Sequence, residues 1–163
     1  MDFPATQSED LFNAARRGDV AGMQAALAAG VPVEAANDKG FTALVLTSYD
    51  NHLAATRFLL DHGANPNQRD ASGNTALMGL GFKGYADIAR LLIGRGANPN
   101  LRNGGGGTAL MFAAMFGRHE MLQLLLDAGA DKDLQDDRGF TALQLAGQKG
   151  DAAACALLGG APQ

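Results

Sequence analysis

Apolar and polar positions along this chain alternate in short blocks that come in pairs. Leu11, Ala14 and Ala15 keep the i, i+3, i+4 spacing of one buried helix face. Arg16-Arg17-Gly18-Asp19 then closes the block, and a second apolar block covers 20–29. The same pairing returns with helices expected over 42–50 and 53–62. Further on, Leu110, Phe112, Ala113 and Ala114 precede the strongly apolar set Met121, Leu122, Leu124, Leu125 and Leu126. A last, Ala-rich helix ends at Gly159-Gly160. The pattern predicts helix, tight turn, helix, repeated. For the first block, Ser8 is expected to cap a helix beginning at Glu9-Asp10, with 4–8 in place of a turn.

The pairs recur with a fixed period. Thr-Ala-Leu begins at Thr42, Thr75, Thr108 and Thr141, each 33 residues after the last. Gly30, Gly63, Gly96 and Gly129 close the units at the same interval. Gly18, Gly84, Gly117 and Gly150 end the first helices, and Asn51 stands in that register in the second unit. Asn is the non-glycine residue that best tolerates the left-handed conformation such a terminus needs. A regular period of this size marks a stacked repeat architecture.

Period and residues together resemble the ankyrin repeat, whose 33-residue unit carries a Thr-Pro-Leu-His signature. The proline of that signature is replaced by Ala43, Ala76, Ala109 and Ala142, and its histidine by Val45, Met78, Met111 and Gln144. The match is to a Gly-x-Thr-Ala-Leu variant that looks like bacterial ankyrin proteins. The resemblance implies an all-α solenoid of about five helix-turn-helix repeats joined by β-turn or hairpin loops. It divides the chain, taken as one domain 1–163, into a capping repeat at 4–36, repeats at 37–69, 70–102 and 103–135, and a closing cap at 136–163. One unit cannot bury its apolar face alone, so stacking makes the core.

Gly79 and Gly81 depart from the pattern inside the first helix of the third unit. Each costs roughly 1 kcal/mol against alanine in a helix interior. Close packing against a bulky neighbour such as Phe112 explains them; a soft repeat that adapts on binding is the alternative.

Composition narrows the function classes. Aromatics are 6% and tryptophan is absent, while 22 glycines suit tight turns. The net charge of −4 argues against a general nucleic-acid binder. The single Cys155 has no disulfide partner within the chain and is expected to pack on the last helix. No apolar run reaches the ~18 residues of a membrane span. Met1-Asp2-Phe3-Pro4 lacks the basic and apolar regions of a leader, which gives a cytoplasmic expectation, or a periplasmic or secreted one if a leader was removed.

Candidate chemistry is sparse. Gly104 to Gly107 precede Thr108-Ala109 with no lysine, so a phosphate loop gives way to a flexible turn. His52, His62 and His119 lack the i, i+4 spacing of a helical metal site. The acidic stretch 127–133 lacks the closing glutamate of a calcium loop, and Asn65 and Asn98 mark it as a repeat junction. No catalytic set, cofactor or metal is expected, so the chain is read as a non-enzyme.

What the resemblance implies is a concave face for a partner protein, made of turn tips and first helices. Carried over by position, it selects Arg16 and Arg17, Phe41, Tyr49, Phe82 and Lys83, Arg95, Met115 and Phe116, Phe140 and Lys149. Asp38, Lys39, Asp50, His62, Asn74, Asp137, Arg138 and Gln148 lie in the same set. Tyr49, Phe82, Met115 and Phe116 occupy one place in consecutive units and are expected to be largely exposed, as an interaction surface would be. Seven of the set are basic (Arg16, Arg17, Lys39, Lys83, Arg95, Arg138, Lys149) and three acidic (Asp38, Asp50, Asp137), which suggests an acidic partner. The expectation is a monomeric protein-binding module serving as inhibitor, antidote or accessory factor. The alternative is a binder of an anionic ligand or nucleic acid through the same basic face. No membrane partner is expected.

Overall fold

The computed structural model describes residues 5–160. Ten helices follow one another among them: α1 (Ala5–Arg17), α2 (Val20–Ala28), α3 (Ala43–Tyr49), α4 (Leu53–Asp61), α5 (Ala76–Lys83), α6 (Ala86–Gly94), α7 (Ala109–Met115), α8 (His119–Asp127), α9 (Ala142–Gln148) and α10 (Ala152–Leu157). The odd-numbered helices pack on one another in sequence, and so do the even-numbered ones. The result is a two-layered all-α solenoid.

Apart from α1, no helix exceeds 9 residues. Helices this short are marginal alone in water, so packing supplies their stability. The core runs the length of the stack, from Leu11 and Met23 through Leu59, Leu77, Ile88 and Leu110 to Met121, Leu125 and Leu145. Local signals fix where the helices start. The Thr42, Thr108 and Thr141 side chains accept the backbone N–H three residues on, and Gln144 completes a capping box with Thr141. Asn51, with φ 63°, is the non-glycine residue in the left-handed region, as its register predicts.

The start of the chain differs from expectation. Helix α1 already includes Ala5, so Ser8 lies inside it and caps nothing. Leu11, Phe12, Ala14 and Ala15 are all buried, and this face holds the helix without a turn-borne cap. Pro4 lies outside the described residues.

The turns between pairs share one hydrogen-bond frame. Asn37, Asp70, Asn103 and Asp136 stand 33 residues apart, and the Oδ1 of each accepts the backbone N–H two and four residues on. Successive tips are joined directly, Ala71 N–H to Lys39 O, Gly104 N–H to Ser72 O and Asp137 N–H to Gly105 O, each at 3.0 Å. Gly40 is required there, because with φ +79° its Cβ position lies 2.6 Å from the Ala71 nitrogen. On the other side of the stack, Asn67 Oδ1 accepts from Asn98 N–H and Asn100 Oδ1 from Asp131 N–H, both at 2.7 Å. The acidic stretch near 131 therefore continues a polar ladder between units.

The two helix glycines have different surroundings. A Cβ on Gly81 would stand 2.6 Å from the Ala109 carbonyl oxygen and 3.1 Å from the Phe112 Cβ. Close packing explains this residue. A Cβ on Gly79 would meet the Tyr49 ring edge at 3.3 Å.

Candidate protein-interaction surface

The C-terminal ends of the odd-numbered helices lie along one edge of the solenoid. Tyr49 ends α3, Phe82 and Lys83 end α5, and Met115 and Phe116 end α7. The three rings make a continuous row. Tyr49 stacks on Phe82 with centroids 6.3 Å apart and 12° between planes, and Phe82 meets Phe116 edge-on at 4.6 Å and 86°. Both are favoured ring geometries. Lys83 Nζ lies 4.6 Å from the Tyr49 ring centroid, within cation–π range.

Burial within the row is uneven. Tyr49 and Phe116 are each 41% exposed and are the exposed large hydrophobic residues among those described. Phe82, held between them, is half-buried. Met115 corrects the expectation of a largely exposed side chain, since it is half-buried and packs on the core. One helix position back toward the core decides that difference, because Met115 is the last residue of α7 and Phe116 its cap.

Two side chains cap carbonyls at the ends of odd-numbered helices. Arg118 donates through Nε to the Phe82 carbonyl at 2.9 Å, and the His52 ring makes the same contact with the Arg16 carbonyl at 2.9 Å. Both satisfy a free carbonyl at the end of a helix. His52 and Arg118 are not in the sequence-selected set, yet their positions are periodic, at the start of α4 and α8.

The remaining selected residues divide into those near the row and those away from it. Arg16 and Phe41 border a cavity beside it. Phe140 is half-buried with the Arg138 guanidinium 5.2 Å from its ring, and Lys149 is exposed at the end of α9. Arg95 sits at the opposite end of the helices, after α6, where its guanidinium pairs with Asp61 at 2.7 Å. His62 shares that end, bonded to the Phe58 carbonyl at 2.8 Å.

Charge on the face is partly consumed within the chain. Arg17 pairs with Asp19, Arg95 with Asp61 and Arg138 with Asp136. Arg16, Lys39, Lys83 and Lys149 form none of the ion pairs found among the described residues. Two carboxylates are held below their ordinary range. Asp136 accepts the Phe140 N–H and then pairs with Arg138, and Asp151 accepts the Ala154 N–H and then bonds to His119.

A cavity of about 480 Å³ opens beside the row. Phe41, Val45, Met78, Phe82 and Phe112 line it together with Gly79. Leu46, Gly79, Phe112 and Leu145 occupy one register at 33-residue spacing. Gly79 thus leaves vacant a place that its neighbours fill with large apolar side chains. The column was readable in the sequence, but that the gap stays open was not.

Among the described residues no group of three or more His, Cys, Asp or Glu is placed to hold a metal ion. No described helix is long and apolar enough to cross a membrane.

Fold and surface together define a helical repeat protein with an unpaired aromatic edge. The family profile of ankyrin repeats (three copies) matches residues 11–103 and 78–161. The chain belongs to the ankyrin repeat family. A search of curated proteins found no match. Ankyrin repeats are in general protein-interaction modules and typically lack catalytic activity.

Proposed function

We propose that this chain is a non-catalytic module that binds one partner protein on its concave face and controls or assists that partner as inhibitor, antidote or accessory factor. The observation that carries this is the aromatic row Tyr49, Phe82 and Phe116, left with two large rings at 41% exposure. Solvent-exposed aromatic side chains in register form the kind of patch that interface cores use. The row would be the energetic centre of the contact. Lys83 and Lys149, unpaired at the ends of α5 and α9, would steer acidic patches of the partner. Arg95, engaged with Asp61 at the far end of α6, contributes less in this reading.

The test is capture of partners from lysate of the source organism with the tagged chain as a monomer. A Phe82→Asp, Phe116→Asp variant shown to remain helical by circular dichroism runs beside it. A protein retained by the parent and lost by the variant is the expected result. Equal retention by both removes the aromatic row from the function.

A further inference from the structure

The cavity at Gly79 is lined by residues of different character. Apolar side chains, among them Phe41, Phe82 and Phe112, line it together with the charged Asp50, Asp70 and Arg16. Asp50 is exposed and forms none of the ion pairs found among the described residues. Asp70 is held by the turn, through Ser72 N–H and the backbone and side chain of Asn74. Arg16 donates to Asn13 Oδ1 at 3.2 Å and lines the cavity as well.

A second groove of about 620 Å³ adjoins this one at Phe41. It shares Arg16, Phe41 and Leu46 with the cavity and adds Glu9 and Asp38 against Lys39. The joined grooves are lined by four carboxylates and two cations, and a third cation, Lys83, lies over the Tyr49 ring at the cavity's edge. This local field is opposite in sign to Lys83 and Lys149 at the helix ends.

We infer that the Gly79 cavity is a socket for one large apolar side chain of the partner, flanked by basic residues that meet Asp50 and Asp70. The vacancy in the Leu46, Gly79, Phe112 column sets the size of the anchor, and the carboxylates set the charge of its neighbours. The inference rests on the concave-face reading and names the chemistry of the partner segment. The partner surface then carries both signs, basic at the socket and acidic toward the ends of α5 and α9.

The full chain, labelled with nitrogen-15, is titrated with three blocked peptide amides: Lys-Phe-Arg, Glu-Phe-Glu and Lys-Ala-Arg. Saturable shifts of the Asp50, Thr75 and Gly79 amides are expected with Lys-Phe-Arg. Replacing its Phe by Ala should weaken binding about tenfold or more, since the anchor side chain is lost. Reversing the flanking charges should weaken it about threefold or more, the scale of exposed ion pairs. Gly79→Leu refills the column and should abolish the saturable shifts while the melting temperature holds or rises. Asp50→Asn, at an exposed position, should narrow the gap between Lys-Phe-Arg and Glu-Phe-Glu.

Undiminished binding to Gly79→Leu, equal binding of Glu-Phe-Glu, or no saturable shift with any peptide overturns the socket. Partner capture separates this failure from failure of the wider reading. Gly79→Leu that keeps the captured protein, while Phe82→Asp, Phe116→Asp loses it, refutes the socket alone. Retention by all three chains refutes the wider reading.

Discussion

Gly81 and Ala109 approach so closely that a methyl group on Gly81 would stand 2.6 Å from the Ala109 carbonyl oxygen. Helix α7 could not lie where it does against α5 with any other residue at that position. The cost of a glycine in the helix interior is therefore offset by the seat it gives the next helix. The same helix carries a second glycine for which this does not hold.

That contrast yields a first prediction. Gly81→Ala should destabilise the fold by roughly 1–3 kcal/mol, because overpacking outweighs the gain in helix propensity. Gly79→Ala should be neutral or stabilise by up to about 1 kcal/mol, since the Tyr49 ring edge at 3.3 Å belongs to an exposed side chain that has room to yield. Urea unfolding of the two variants measures both. Equal destabilisation would show that Gly79 is packed as tightly as Gly81 and would refute the contrast.

The turn frame supports a second prediction. Asn103 accepts two backbone N–H groups and donates from Nδ2 to Asn74 Oδ1 at 2.9 Å. Asn103→Ala should cost about 1–3 kcal/mol, because the partly buried Gly107 amide and the exposed Gly105 amide lose their acceptor. Asn103→Asp should cost less. It keeps both acceptor contacts, as Asp70 and Asp136 do in the same register. Amide hydrogen exchange at Gly105 and Gly107 would separate the two variants.

A third prediction concerns acid. The Asp136 carboxyl is held below its ordinary value of 3.8 by the Phe140 N–H and then by Arg138. A folded-state value below the unfolded one means stability that is complete above the ordinary value and lost as pH falls through the folded value. Asp136→Asn removes this contribution while an amide oxygen still accepts from the turn, as Asn37 and Asn103 do. The variant should be less stable at neutral pH, and the difference should shrink once the pH falls below the folded value. Melting temperatures of the pair across that range decide it. A difference that does not change with pH would assign the effect to packing.

A fourth prediction follows from the unpaired cations. Lys83→Glu should slow association with an acidic partner by about tenfold at low salt and leave dissociation less affected. It also withdraws the ammonium from the Tyr49 ring. Association rates across a salt series give the result. A rate independent of both salt and the substitution would argue against steering by this edge.

Much of the architecture was legible because each repeat writes its own boundaries. Thr42, Thr108 and Thr141 cap helices through bonds spanning three residues, and Asn51 adopts its left-handed turn where the register demands one. Such contacts are local, so residue type and position suffice to predict them. The period then fixed which positions would face each other across the stack. The start of α1 escaped, because its length is set by burial of Phe12 and its neighbours and not by a cap.

The surface depended on tertiary structure for a different reason. The Arg95–Asp61 and Arg138–Asp136 pairs, the inward packing of Met115 and the half-burial of Phe82 between two rings depend on side-chain direction across units. A period states that equivalent positions stack, but not how side chains of unequal size fill the space between them. The open place at Gly79 is the clearest case. The sequence by itself determined that a side chain is missing from the column. Only the placement of Tyr49, Phe82 and Phe112, each on a different repeat, decided that the space beside Gly79 is open, because a period does not say where side chains of unequal size come to rest.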